Sequence, residues 1–260
     1  MKLMINHQTH YQYTEQACNS IQYIKMTPFN NAHQKVHYWD VSVPGERCVK
    51  QDAFKNIWIT SSQRFAYEQM TIMAQGIIEL SPKPFALNMT DHLNPYLFLQ
   101  PTPTTLCNAE MKEFAHRLVP EIKRHNLMKL SEAILQHIPY LPNQTSVKTS
   151  AIDAFQDRQG VCQDHSHVFI AMCKALGLPA RYVSGYLFVP NTSHLASHAW
   201  AEVFLENTWY CFDTSNQLFS PEAHVYVAVG RDYWDVAPIR GVREKGGIES
   251  MHSIVQVLAC

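Results

Sequence analysis

The sequence lacks the features of a membrane protein or a nucleic-acid binder. No apolar run approaches the roughly 18 residues that a membrane-spanning helix needs. The first residues turn polar after Ile5, without the apolar core of a signal peptide. Lysine and arginine number 21 against 22 acidic residues, so there is no basic surplus to attract nucleic acid. We therefore expect neither a membrane nor a nucleic-acid partner.

The cysteines do not suit a disulfide framework. There are seven of them, an odd number, spread from position 18 to position 260. Without a signal peptide, this pattern favours free thiols in a reducing cytoplasm. The chain has 260 residues, of which 46% are hydrophobic and 17% charged, which suits one large globular domain or two ordinary ones.

Residues 1–80 are predicted to form a β-rich domain. The segments 36–43 and 57–60 are rich in β-branched and aromatic residues. A long last strand is expected over 69–80, with a bulge at Gly76. We interpret this region as a small β-sandwich-like domain that carries no chemistry of its own.

A proline-rich linker and a second domain are predicted to follow. Residues 81–103 contain five prolines, which favour an extended linker. Residues 104–260 are predicted to form an α+β domain. Helices are expected after Asn108, over 129–138, from Thr149 or Ser150 to Arg158 and from Cys162 to Leu176, and strands over 180–188, 198–205, 208–212 and 225–229. Gly160 is expected to be the left-handed residue that ends the third helix.

Cys162 is the candidate nucleophile. It lies where a loop turns into a helix, so that unpaired backbone N–H groups and the positive end of the helix dipole favour a thiolate. The same N–H groups are suited to hold the oxyanion of a tetrahedral intermediate. Most cysteines are buried structural residues, and Cys173, in the middle of the same helix, fits that description. The polar neighbours Gln163 and Asp164 make Cys162 a poor core residue.

His198 and Asp213 are the candidate base and its orienting acid. If Glu206 and Asn207 form a two-residue hairpin turn, His198 and Asp213 are diagonal neighbours on one face of the hairpin, about 7–8 Å apart along the backbone. A three-residue turn would place them on opposite faces. Glu202 shares the face of His198 and is the competing orienter, but in a regular strand it lies about 13 Å further along.

A metal site is the alternative use of these residues. Cys162, His165 and His167 are potential ligands, but their Cys-x-x-His-x-His spacing matches none of the standard paired zinc patterns. We therefore predict no metal and no cofactor, and expect ordinary structural or solvent-facing roles for His165 and His167.

Several motifs resemble the bacterial transglutaminase-like superfamily, relatives of papain-type cysteine proteases. They are Gly160-Val161-Cys162-Gln163-Asp164, the run from Gly177 to Tyr186, Ser197-His198-Ala199-Trp200-Ala201-Glu202-Val203, Phe212-Asp213, and the tail from Val227 to Tyr233. The resemblance implies an α+β core in which a helix carrying the cysteine packs on an antiparallel sheet carrying the histidine and aspartate. It also implies a β-rich N-terminal region before this core, with Cys162 as nucleophile, His198 as base and acid, and Asp213 as orienter.

The shared chemistry of such proteins is acyl transfer at an amide bond through a thioester. We expect hydrolysis of a peptide or side-chain amide by a cytoplasmic peptidase or amidase, with a peptide or protein as substrate. Transamidation is the alternative reaction, and a binding module with an idle triad is the alternative class. The sequence departs from the family pattern twice. Thr214 stands where a proline usually follows the aspartate, and His165 stands where an aromatic residue usually follows Asp164.

Overall fold

The computed structural model describes residues 1–81, 93–192 and 196–260 and has the predicted α+β composition. Its strands are β1 (Lys2–Thr27), β2 (Gln34–Ser42), β3 (Glu46–Gln51), β4 (Ile57–Gln63), β5 (Tyr67–Leu80), β6 (Ala180–Leu187), β7 (His198–Leu205), β8 (Thr208–Phe212), β9 (His224–Gly230), β10 (Ile239–Lys245) and β11 (Glu249–Ala259). Its helices are α1 (Ala109–Leu118), α2 (Arg124–His137), α3 (Ala151–Asp157), α4 (Cys162–Ala175) and α5 (Tyr233–Val236). Within the three described ranges, no helix has the length and apolar character needed to cross a membrane.

The first sheet is built around β1, and its main strand order is β2-β5-β1-β4-β3. Near the start of β1, Leu3, Ile5, His7 and Thr9 are buried, whereas the residues between them are more exposed. This alternation is that of a strand with one face on a core. The predicted β-rich N-terminal region is therefore confirmed.

The irregularity predicted at Gly76 lies in the neighbouring strand instead. The pairing of β1 with β5 passes through Gly76, opposite Ile5, without a shift. The pairing of β2 with β5 shifts between Val36 and Tyr38. A Cβ atom at Gly76 would collide with the Tyr38 carbonyl oxygen. Glycine is needed here because the irregular strand β2 approaches the backbone of β5 closely.

Two strands from the end of the chain complete the first sheet. Both β10 and β11 pair with β1, with Ile239 opposite Ile24 and Ala259 opposite Leu3. The tail that we assigned to the domain 104–260 is therefore hydrogen-bonded to the N-terminal sheet. The domain limits themselves stay a prediction.

Part of the predicted linker is folded rather than extended. Residues 82–92 lie outside the described residues, so the structure says nothing of this part of the linker. The rest contains two 3₁₀ turns, Pro95–Phe98 and Pro103–Thr105. Phe98 is fully buried, and its ring centroid lies 5.5 Å from that of Trp209. This contact attaches the end of the predicted linker to the second sheet.

Helix α4 lies at the centre of the second half of the chain. All of its residues from Asp164 to Lys174 are buried, so it is enclosed on every side rather than along a single apolar stripe. Apolar residues of α1, α2 and α3 and of the second sheet form one core with it. This enclosure fixes the position of the residue at its start, Cys162.

The helix ends follow the sequence with two differences. Asn108 caps α1 as predicted, and Ser150, one of the two candidates, caps α3. Helix α2 begins at Arg124, earlier than predicted. The left-handed residue after α3 is Arg158, with a φ of 52°, and not Gly160.

The second sheet has the order β8-β7-β6-β9, and all its strands are antiparallel. Glu206 and Asn207 join β7 to β8 and have φ values of 52° and 60°, as in a two-residue type I′ turn. Leu205 faces Thr208, which is the register that the hairpin prediction requires.

Two side chains of the N-terminal region bind the outer edge of β9. Gln34 donates to the carbonyl oxygen of Tyr226 and accepts from its N–H, both at 2.7 Å. Asn56 makes the same pair of hydrogen bonds with Val229 at 2.8 Å. The two sheets also share an apolar core, in which Leu3, Ile5, Ile78, Val255 and Val257 pack with Tyr186, Val225 and Val227. The N-terminal region thus fixes the edge strand of the second sheet.

Candidate active site

Cys162 is the first residue of α4, and its side chain is half-buried. The turn before it is held by Asp164, whose Oδ2 accepts the Val161 N–H at 2.8 Å and the Thr145 hydroxyl at 2.7 Å. A Cβ atom at Gly160 would lie 2.7 Å from the Asp164 Cβ, so glycine makes room for this acid. The result is a thiol at the positive end of a buried helix.

His198 is the first residue of β7 and connects the thiol to a carboxylate. Its Nε2 lies 2.7 Å from Asp213 Oδ2, and its ring lines the same cleft as Cys162. Because Nε2 faces Asp213, Nδ1 is the nitrogen available to the sulfur. The ring stacks on Trp200 at a centroid distance of 6.0 Å, and the side chain is 11% exposed. The structure therefore brings the three predicted site residues together in the order Cys162, His198, Asp213.

Asp213 follows β8 directly and is completely buried. Its Oδ2 accepts hydrogen bonds from His198, from His224 at 3.0 Å and from the Asn216 side chain at 3.0 Å. The Asn216 backbone N–H donates to Oδ1 at 3.2 Å. Both oxygens of the buried carboxylate are therefore compensated by donors, which a buried charge requires.

The electrostatics of the site favour an ion pair between His198 and Asp213. Burial alone would lower the pKa of His198, but hydrogen bonds to Asp213 and Cys162 outweigh burial and raise this pKa from 6.5 to about 10. Burial alone would raise the pKa of Asp213, but hydrogen bonds from His198 and His224 hold it well below its usual 3.8. A protonated His198 next to the Cys162 sulfur is the arrangement that an activated thiolate needs.

The sequence did not predict two of the donors to Asp213. His224 is the first residue of β9, which pairs with β6 and not with the β7–β8 hairpin. The alternation of side chains along that hairpin therefore does not predict the position of His224. Asn216 belongs to the polar segment that replaces the usual proline. The missing proline marked this segment as unusual in the sequence. It did not indicate that Asn216 would donate hydrogen bonds to Asp213.

The two departures from the family pattern meet in space. His165 Nδ1 lies 2.8 Å from the Ser215 hydroxyl, and its Nε2 lies 2.8 Å from the Ile138 carbonyl oxygen. The ring is fully buried. His165 therefore joins the end of α2 to the segment that follows Asp213.

The alternative metal ligands do not converge. Both ring nitrogens of His165 have protein partners, and His167 Nε2 accepts the Tyr233 N–H at 3.2 Å. Both histidines are buried, so of the two expected roles the structure shows the structural one and not the solvent-facing one. Among the described residues, the group with ligand-like geometry is His198, Asp213 and His224, whose ligand atoms lie within 4.8 Å of one another. These same atoms hydrogen-bond directly, so a metal ion would have to displace those hydrogen bonds.

Glu202, the competing orienter, is engaged elsewhere. It forms a fully buried ion pair with Arg181 at 2.7 Å, and its second oxygen accepts the Tyr226 hydroxyl at 2.7 Å. The Arg181 guanidinium also lies 4.0 Å from the Trp209 ring centroid. Glu202 therefore stabilises the core of the second sheet. Neither of these two bonds involves His198.

A cleft of about 330 Å³ opens beside the thiol. It is lined by Tyr140, Cys162, Leu187, Val189, Ala196, Ser197, His198, Ser215 and Asn216. Apart from Cys162 and His198, these side chains are aliphatic, aromatic or neutral polar. The described residues that line the cleft offer contact area but no carboxylate, ammonium or guanidinium group.

Comparison with known proteins identifies the class. Residues 113–214 match the Transglutaminase-like superfamily, and residues 3–79 match the bacterial transglutaminase-like N-terminal region. The chain thus carries a transglutaminase-like core behind the N-terminal region of the bacterial members. The resemblance inferred from the sequence motifs is confirmed.

Individual proteins are similar to this chain over most of its length. An uncharacterized protein of Mycobacterium leprae is 28% identical over 277 residues, covering 98% of each chain. An uncharacterized protein of Mycobacterium tuberculosis is 26% identical over 270 residues, covering 92% of this chain and 86% of the relative. The crystal structure of a protein from Cytophaga hutchinsonii, provisionally described as a cysteine protease, superposes with a TM-score of 0.77. That match has 22% identity and covers 100% of this chain and 91% of the other, and it shows a shared fold.

Proposed function

We propose that the protein is a cysteine-dependent enzyme that transfers acyl groups from amide bonds, with water as the usual acceptor. The observation that carries this proposal is the chain of contacts from Cys162 through His198 to Asp213 at the start of a buried helix. A thiol at a helix start, beside an imidazole that a carboxylate orients, is the arrangement of an activated nucleophile.

The proposed reaction has two halves. The Cys162 sulfur attacks the amide carbonyl, and backbone N–H groups at the start of α4 stabilise the oxyanion. His198 gives its proton to the departing nitrogen, and the C–N bond breaks to leave a thioester. His198 then takes a proton from water, which attacks the thioester and releases the acid and the free thiol. Asp213 keeps the imidazole oriented in both halves.

The cleft supports an uncharged substrate segment. Apart from Cys162 and His198, the described lining residues are neutral and would leave a charged side chain without a partner, and burial of an unpaired charge is costly. We therefore propose as substrates peptides or proteins with an amide bond between uncharged residues, or with the side-chain amide of glutamine or asparagine. Transamidation remains the alternative reaction, since an amine can replace water at the thioester. A reducing, cytoplasmic location remains part of the proposal.

The test is mass spectrometry of peptide pools incubated with the protein, with and without a primary amine. Hydrolysis adds one water across a cleaved bond, deamidation replaces an amide by an acid, and transamidation adds the amine with loss of ammonia. We expect hydrolytic products from the parent and none from Cys162→Ala. Cys48→Ala, which changes an exposed cysteine, is the control and is expected to retain them. Amine adducts in place of acids would assign transamidation. Unmodified pools, combined with a Cys162 no more reactive than Cys48, would assign a binding module.

A further inference from the structure

We propose that His224 is a positioning residue of this site, one that holds the Asp213 carboxylate in place and is itself held by the N-terminal region. This inference rests on the proposed function. It adds a residue outside the Cys162, His198 and Asp213 set, and it gives the first 80 residues a part in the chemistry.

The first support is the geometry at Asp213. His224 Nε2 lies 3.0 Å from Asp213 Oδ2, the same oxygen that lies 2.7 Å from His198 Nε2. Both His224 and Asp213 are fully buried, so water does not replace this hydrogen bond. An oxygen that accepts from two imidazoles and one amide has little freedom to rotate. The direction in which His198 points is therefore tied to His224.

The second support is that His224 is suited to be a neutral donor. Its Nδ1 is buried and has no hydrogen-bond partner within the described part of the chain. A proton on Nδ1 would therefore be unsatisfied, whereas a proton on Nε2 is accepted by Asp213. Burial also lowers the pKa of His224, despite the favourable Asp213 carboxylate. A neutral His224 can thus stabilise the Asp213 carboxylate through its Nε2–H, while His198 is the histidine that becomes protonated.

The third support is how His224 is fixed. The His224 carbonyl oxygen lies 3.0 Å from Nε2 of the fully buried His33. Two residues along β9, Gln34 binds both backbone groups of Tyr226 at 2.7 Å. The His224 ring also packs on Trp200 at a centroid distance of 4.7 Å. Residues of the N-terminal region therefore fix the position of His224, and His224 in turn fixes the Asp213 carboxylate.

The test uses the reactivity of Cys162 toward iodoacetamide as a function of pH, which needs no known substrate. Other titratable groups face this pair and remain unchanged in the variants: Cys162, His198, Glu202, His165, His33, Tyr140 and Cys211. Without the donor, the Asp213 carboxylate takes up a proton at higher pH. His198 then loses its anionic partner, so the pKa of His198 falls and the imidazolium beside the Cys162 sulfur is lost.

We expect His224→Phe, which keeps a ring on Trp200, to slow alkylation of Cys162 about ten- to a hundredfold at the acid end of the profile. The acid limb of the profile should move to higher pH. His224→Gln restores an N–H donor and should bring the profile back toward that of the parent. In an Asp213→Asn background, His224→Phe should add less than about a threefold effect, because the two changes act on one interaction. Asn56→Ala, which removes hydrogen bonds to β9 at Val229, far along the strand from His224, is the control for lost stability.

The outcomes separate the two proposals. If His224→Phe lowers the melting temperature as Asn56→Ala does but leaves the alkylation profile of the parent, His224 is only structural and the inference is wrong. Fully additive effects of His224→Phe and Asp213→Asn would also overturn it, since His224 would then not act through Asp213. If Cys162 of the parent reacts no faster than the exposed Cys48, the proposed function itself fails.

Discussion

His198 and Asp213 meet through a 2.7 Å hydrogen bond because a two-residue turn puts them on the same face of one hairpin. The bond joins two strands that are also paired through their backbones, so the distance between the imidazole and the carboxylate depends on the register of β7 against β8. Both residues lie beside α4, whose first residue supplies the sulfur. The site is thus a product of one hairpin and one helix start.

Cys162 is expected to be the most readily alkylated of the seven cysteines. At about pH 6, iodoacetamide should modify Cys162 before Cys18, Cys48 and Cys260, because within the described residues Cys162 has both an imidazole and a helix start beside it. Peptide mapping after a short exposure measures this order. His198→Ala should remove the preference, and equal labelling of Cys162 and Cys48 in the parent would contradict it.

Asp213 and Glu202 are expected to respond differently to substitution. Asp213→Ala should slow turnover by orders of magnitude, and Asp213→Asn should be milder because an amide oxygen still accepts the imidazole N–H. Glu202→Gln should instead destabilise the fold by about 3–5 kcal/mol, since it leaves the buried Arg181 without its anion. Urea unfolding and turnover, measured on the same samples, separate the two effects. A Glu202→Gln protein that is stable but inactive, together with an active Asp213→Ala protein, would reverse the two roles.

The turn between β7 and β8 allows a stabilising substitution. Glu206 has a φ of 52°, a left-handed conformation that costs a non-glycine residue about 1 kcal/mol. Glu206→Gly is therefore expected to raise the free energy of unfolding by about 0.5–1 kcal/mol without changing the thiol reactivity. Inserting one residue after Glu206 is the contrasting variant. It should change the register, separate His198 from Asp213 and abolish the preferential alkylation of Cys162.

Acid should destabilise the protein through its buried histidines. Burial lowers the pKa of His7, His33 and His167 from 6.5 to about 4. Above pH 6.5 these rings are neutral in both the folded and the unfolded chain, and their contribution to stability is fully present. As the pH falls from 6.5 toward 4, only the unfolded chain takes up their protons, so stability is lost.

The loss can be measured by urea unfolding at about pH 7 and about pH 5. Each buried histidine should contribute about 2 kcal/mol to the difference. His7→Gln should reduce the difference by that amount, because glutamine takes up no proton, whereas replacing the exposed His116 should leave it unchanged. A parent protein that is equally stable at both pH values would contradict the prediction.

The site could be predicted from the sequence wherever local rules decide the geometry. Cys162 follows a recognisable helix start, and a two-residue turn fixes the parity of His198 and Asp213. His224 could not be found in this way, because it reaches Asp213 through β6 and β9, whose pairing no local pattern specifies. For the same reason, the pairing of β10 and β11 with β1 in the first sheet could not be predicted from the sequence. Arg158, and not Gly160, is the left-handed residue, because Gly160 is required for the close approach of Asp164 rather than for its own backbone angle.

The pairing of β1 with β11 has a consequence for the order in which the chain folds. Leu3 has Ile78 as its neighbour on one side and Ala259 on the other. During synthesis, β1 can pair with β5 early, but its second side stays open until the last strands leave the ribosome. An open strand edge with apolar residues is a site for pairing with other chains. A chain that stops before Ile239 should therefore aggregate even though it contains every residue of the candidate site.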